Sequence, residues 1–192
     1  MKEVVKITSV LTSVCIICAF LLSFVYGLAN KKIEVNEQKR ISEAIYNIAP
    51  DVKTTKEMGG TKEPIYQLYD DNDNLTGYAF LAQGQGYQGK IKMIAVVTPS
   101  FDQLRGIEIV ESVETPGLGS RIQEKDFIRQ FQDLNISKMI TGVKSDQKKA
   151  VDDNKAGVKN NQIQTITGAT ISSNAVINIL NKRITELKEV IK

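Results

Sequence analysis

The chain has 192 residues, 42% of them hydrophobic and 24% charged, with a net charge of +3; this suits one globular domain plus a smaller element and excludes a disordered chain or a disulfide miniprotein. The charge is slight and Lys and Arg are interspersed with Asp and Glu, so no nucleic-acid partner is expected. There is no His, which excludes Ser-His-Asp and Cys-His catalysis, His-ligated haem, imidazole metal sites and histidyl-linked flavin.

Residues 7–29 read "ITSVLTSVCIICAFLLSFVYGLA", without a charge. At about 1.5 Å per residue the run is long enough for the roughly 30 Å hydrocarbon core, and it predicts one transmembrane helix. A cleaved signal peptide would have a shorter apolar region and a small-residue cleavage site, so a retained anchor is expected. Lys2 and Lys6 precede the run, whereas Lys31, Lys32, Lys39 and Arg40 follow it. By positive-charge count alone the remainder would face the cytoplasm. Both cysteines, Cys15 and Cys18, lie inside the run on one helix face. They suit small residues facing lipid or a neighbouring helix, or half of a metal or iron–sulfur site shared with a partner, since two thiols cannot close a tetrahedral site. The soluble part therefore has no disulfide, no thiolate nucleophile and no expected metal site. Redox or group-transfer chemistry there would have to come with a cofactor.

Next, "NEQKRISEAIYNIAP" places Ile41, Ala44, Ile45 and Ile48 at helical spacing, with Pro50 beyond the end, which predicts an amphipathic linker helix. "EPIYQLYDDNDNLTGYAFLAQGQGYQGKIKMIAVVTP" alternates short β-rich runs with turn clusters at "DDNDN", "GQG" and "GYQG", an antiparallel meander. "LRGIEIVESVE" predicts another strand, and "EKDFIRQFQDL" a short helix with Phe127, Ile128 and Phe131 on one face. "SKMITGV" and "NQIQTIT" read as strands on either side of a polar surface loop or weak hairpin, "KSDQKKAVDDNKAGVKNN". A final helix is expected over residues 172–191, burying Val176, Ile179, Leu180, Ile184, Leu187 and Val190. The expected class is α+β: a twisted antiparallel sheet with flanking helices, preceded by one N-terminal transmembrane helix. The boundaries drawn are a tail at 1–6, the anchor at 7–29, a linker helix at 30–60 and a globular domain at 61–192.

Three glycine-bearing stretches stand out. In "TITGATISSN", a Thr or Ser ahead of a helix can cap the first free N–H groups, and Gly168 permits backbone conformations closed to other residues. The same helix start, with its free N–H groups and positive dipole end, is equally a seat for a phosphate, and a hydroxyl esterified there would anchor a cofactor without His or Cys. "ETPGLG" suits a type II turn or a loop whose backbone lies against a flat ligand. Gly84, Gly86 and Gly89 form GxGxxG, but the run that follows reads as a strand, so no Rossmann site is expected and "GYQG" reads as a hairpin turn.

In this order, one N-terminal membrane helix, "GYQGKI", "ETPGLG" and "TGATISSNAV" resemble the FMN-binding domain family found in the G subunit of Rnf complexes and in the C subunit of Na⁺-translocating NADH:quinone reductase. The chain is short for the latter, which favours the Rnf type. The resemblance makes residues 61–192 an FMN-binding domain. It implies that Thr170 in the motif Thr167, Gly168, Ala169, Thr170 is joined to FMN by a phosphoester, with Ser172 and Ser173 alongside. It also implies that Glu114, Thr115, Gly117, Leu118 and Gly119 line the flavin. A flavin transferase using FAD would install the cofactor. The family usually has Asp six residues before the modified Thr, where this chain has Gln164, and relatives often carry His near "ETPGLG". The function implied is an electron relay, not catalytic alone, among the membrane subunits of an ion-translocating ferredoxin:NAD⁺ oxidoreductase. The protein would be a single-pass cell-membrane protein with its domain on the extracytoplasmic side. The alternatives are a free-standing membrane-anchored extracytoplasmic flavoprotein, and a non-redox structural or assembly subunit in which "TGAT" only caps a helix.

Overall fold

The computed structural model describes residues 1–59, 63–144 and 161–191. It divides into two compact units, Met1–Arg40 and Ile41–Lys192.

The first unit belongs to one long helix, α1 (Lys2–Ile48, 47 residues), which contains a window of mean hydropathy 2.3 with none of it buried. Apolar residues run all round this part of the helix, and Val10, Phe20, Leu22 and Tyr26 stand exposed. By length and composition it can cross a membrane. Its hydroxyls return to the helix itself: Thr8 Oγ1 donates to the Val4 carbonyl at 2.9 Å and Ser13 Oγ to that of Ser9 at 2.9 Å. In a membrane, that would satisfy polar groups for which lipid offers no partner. The linker helix expected separately is the continuation of α1. "KKIEVNEQKR" lacks an apolar stripe, but its Lys, Glu, Gln and Arg residues are good helix formers and keep the helix intact.

In the second unit, six strands form an antiparallel meander in chain order: β1 (Thr54–Met58), β2 (Ile65–Tyr69), β3 (Leu75–Gln85), β4 (Lys90–Val97), β5 (Gln103–Ser112) and β6 (Leu134–Asn135). Strand alternation sends one set of side chains to each face. Tyr78, Phe80, Ala82, Ile91, Met93 and Ala95 meet α3 (Thr170–Val190) through Val176, Leu180, Ile184 and Leu187. Ala79, Leu81, Ile94 and Val96 meet the last two turns of α1 through Ile41, Ala44 and Ile45. The sheet is thus buried on both sides, and the expected α+β class holds.

The short helix over Phe127, Ile128 and Phe131 is α2 (Lys125–Ile128) followed by a 3₁₀ turn, Arg129–Phe131, with Phe127 and Phe131 buried edge to face at 5.4 Å. The strands expected in "SKMITGV" and "NQIQTIT" are shorter and pair in parallel, as β7 (Thr141–Val143) with β8 (Gln162–Gln164). Asn181 holds this pair to α3: its amide accepts from Ile140 N at 2.9 Å and donates to Ile140 O at 2.8 Å. Of the predicted loop between them, residues 144–161, residues 145–160 lie outside the described residues. Three corrections concern helix and strand limits. Helix α3 begins two residues earlier than expected, at Thr170, and Val190 lies off its buried stripe at 59% exposure. Gly84 belongs to β3 rather than to a turn. Strand β1, whose residues are nearly all exposed, had no apolar pattern to announce it.

Candidate functional site

The loops after β3 and β5 and the start of α3 converge on one carboxylate. After β3 the chain turns tightly, with Gly86 N donating to Gly89 O at 2.7 Å. After β5 it enters "ETPGLG", whose turn is closed by bonds from the N–H groups of Leu118 and Ser120 to the Thr115 carbonyl and from Gly117 N to Ser120 Oγ. Gly117 has φ +74° there, a conformation that favours Gly.

Glu114 is 7% exposed. Its Oε1 accepts from Gln88 N at 3.1 Å and its Oε2 from Ser172 Oγ at 2.6 Å. Burial pushes its pKa up, but the Ser172 hydroxyl and the backbone N–H groups of Gln88, Gly89 and Tyr87 together outweigh it and hold the carboxyl below its ordinary value. Glu114 is therefore an anion at neutral pH, set against the first turn of a helix whose N-terminal dipole favours negative charge. A Cβ on Gly86 or on Gly119 would collide with this carboxylate, so both glycines leave room for it. A second bond, from Thr115 Oγ1 to the Gln88 side-chain oxygen, fastens the same two loops.

Within "TITGATISS" five hydroxyls sort into two groups. Thr165 is buried and donates to Val143 O; Ser172 is buried and donates to Glu114. Ser173, fully buried, donates to Ala169 O at 2.9 Å and accepts from Ile166 N at 3.1 Å, which shapes the loop ahead of α3. Thr167 is exposed and Thr170 half-buried, and neither hydroxyl has a hydrogen bond among the described residues. Of the two readings of this stretch, the side-chain cap is not realised: α3 has Ala169 as its N-cap, with no side-chain cap hydrogen bond. Gly168 takes φ +84°, and the nearest atom to a Cβ built there is Leu118 Cδ2 at 3.8 Å. The tip of "ETPGLG" thus lies beside the "TGAT" loop, and Leu118 at that tip is exposed.

The residues of "ETPGLG" and "TGATISS" expected at the cofactor are therefore in one place, some accessible and some buried. Thr167, Gly168, Thr170, Thr115, Gly117 and Leu118 are accessible; Ala169, Ser172, Ser173, Glu114 and Gly119 are buried beneath them. These residues fit a flat cofactor that carries a phosphate: a helix start without a side-chain cap, a hydroxyl on its first residue with no hydrogen bond among the described residues, and a glycine-bearing loop with exposed Leu118 beside it. Gln130 was missed. Its side chain bonds reciprocally to the backbone of Gln164, at 2.8 and 3.2 Å, and both border a cleft of about 350 Å³ beside Thr167. No signal in the sequence links positions 34 residues apart.

The family model for the FMN-binding domain matches residues 86–185. The chain is similar to the G subunit of the ion-translocating oxidoreductase complex of Methanosarcina acetivorans, 26% identical over 191 residues that cover 95% of this chain and 94% of that one. It is also similar to the G subunit of the proton-translocating ferredoxin:NAD(+) oxidoreductase complex of Clostridium ljungdahlii, 29% identical over 181 residues covering 91% and 86%. The crystal structure of Shewanella oneidensis NqrC shares its fold, with a TM-score of 0.52 at 19% identity over 67% of this chain and 62% of that one.

Proposed function

The chain belongs to the FMN-binding domain family, and from that premise we propose that it carries FMN as a phosphoester of Thr170 and serves as the electron-relay subunit of a membrane ion-translocating ferredoxin:NAD⁺ oxidoreductase. One observation carries the attachment: of the hydroxyls around α3's start, Ser172 and Ser173 are tied inside the protein, while Thr167 and Thr170 have no hydrogen bond among the described residues, and of these two only Thr170, the helix's first residue, stands at the uncapped N–H groups. The kinship, along most of their length, to the G subunit of an ion-translocating oxidoreductase complex and to that of a proton-translocating ferredoxin:NAD(+) oxidoreductase complex supports the relay role.

When bound, FMN supplies electron transfer that no side chain of this domain can perform. The chain's own residues bind, orient and cover. The first-turn N–H groups of α3 and its dipole end stabilise the phosphodiester charge. Gly117 and Gly168 let the two loop backbones approach the ring without a Cβ between, and Leu118 and Ile171 offer apolar contact beside it. Attachment by a flavin transferase joins Thr170 Oγ1 to the riboflavin-side phosphorus of FAD. The pyrophosphate bond breaks, AMP leaves and the hydroxyl proton is released, with no change of oxidation state. The relay binds neither NAD nor ferredoxin itself. It works beside other membrane subunits, anchored by α1, with its domain on the extracytoplasmic side.

The tryptic peptide spanning residues 160–182, from protein isolated from its own membrane, is expected to gain the mass of one FMN less a water, located at Thr170. Thr170→Val should abolish in-gel flavin fluorescence. Retained fluorescence in that variant, or an unmodified peptide from an active complex, would refute the assignment. Purification in mild detergent separates the relay, which travels with other subunits, from a free-standing flavoprotein.

A further inference from the structure

We propose that Glu114 is a positioning residue for the modification of Thr170, acting through Ser172 rather than by touching the flavin. Two oxygens of one carboxylate hold three segments together. Oε1 takes the amide of Gln88 in the turn after β3, Oε2 takes the Ser172 hydroxyl in the first turn of α3, and the backbone at 114 starts the "ETPGLG" loop. Ser172 lies two residues beyond Thr170, so fixing its side chain fixes the azimuth and depth of the helix turn that presents the Thr170 hydroxyl. Gly86 and Gly119 close on the carboxylate from both sides with no room for a Cβ, so the joint has little freedom to shift. With both oxygens engaged and only 7% of the residue exposed, Glu114 has little surface left to offer a ring. A phosphoryl transfer needs the nucleophilic oxygen in line with the bond being broken, and a misplacement of about 1 Å costs on the order of a hundredfold in rate.

This inference rests on attachment at Thr170, and its test separates the two. The full chain in detergent is loaded by a flavin transferase with FAD, and initial rates of flavin incorporation are measured at varied concentrations of the chain. Ser172→Ala and Glu114→Gln should each lower kcat roughly tenfold to a hundredfold while leaving KM within a factor of about two. A variant that merely folds less well reduces the competent fraction, and so raises the apparent KM with kcat unchanged; that pattern would overturn the proposal. The double variant should be no slower than the worse single one, since both remove the same joint. Wild-type kcat in both single variants, with Thr170 loaded, would refute the positioning role and leave the attachment standing. Wild-type protein loaded at another residue, or not at all, would refute both. Ser172→Ala removes a single hydroxyl, so it keeps the test decisive should Glu114→Gln melt early.

Discussion

Gly168 and Gly119 each resist a side chain for a different physical reason, and substitution should tell them apart. At Gly168 the backbone has φ +84° and the space beyond is open, so Gly168→Ala should cost about 1–2 kcal/mol through backbone strain alone. At Gly119 the backbone is ordinary, and Ala would instead strike the Glu114 carboxylate and the Ser172 hydroxyl, a steric cost of about 1–3 kcal/mol. Adding Ser172→Ala to the second variant should recover part of the loss and do nothing for the first, as read by denaturant midpoints. Glu114 also predicts a pH dependence. Its folded pKa lies below the ordinary 4.5, so its contribution to stability is present above that value and is lost as pH falls through the lowered one. The gap in melting temperature between wild type and Glu114→Gln should therefore be widest near neutrality and close in acid; a gap that stays constant would mean the carboxylate does not titrate within the fold. The other depressed carboxyls, such as Asp51 beside Arg105, are common to both proteins and cancel.

Secondary-structure elements were legible wherever burial imposes a period. The stripe of α3 follows from it, whereas the span in α1 and strands β3 and β4 were legible as unbroken apolar runs of different length; Leu180→Ala, fully buried in the α3 stripe, should cost about 2–5 kcal/mol against under about 0.5 for Val190→Ser. Strand β1 was illegible because "TTKEM" buries almost nothing and is held by backbone pairing to β2. The unbroken course of α1 was illegible for the opposite reason: helix propensity without amphipathicity leaves no periodic mark. The parallel pairing of β7 with β8 joins residues 21 apart, and the Asn181 amide that ties it to α3 lies 41 residues from its partner Ile140, so no local pattern encodes either. The site divides along the same line. Its three motifs could be read singly as turns and a helix start, but the carboxylate that unites them spans separations of 26 and 58 residues.

For the whole molecule, the boundary between anchor and domain falls inside a helix, at Arg40 and Ile41. A chain beginning at Ile41 keeps the side chains that cover Leu68, Ala79 and Ile94, and should fold and melt cooperatively without detergent. One beginning at residue 50 loses Ile41, Ala44 and Ile45 and should expose that face of the sheet, binding a hydrophobic dye and aggregating. Topology can be probed in intact cells with a cysteine introduced at exposed Asp71 in a background of Cys15→Ser and Cys18→Ser. A membrane-impermeant maleimide should label it without lysis; labelling only after lysis would put the domain in the cytoplasm.

Because α3 follows every strand in the chain, a nascent polypeptide leaving the ribosome holds Phe80, Met93 and Leu104 uncovered until that helix has been translated. Thr170 sits at the start of the same helix, so the hydroxyl is not displayed in its native setting until that helix has been translated. Loading of the cofactor would then be a post-translational event that reports on finished folding, and stalled or truncated products would stay colourless.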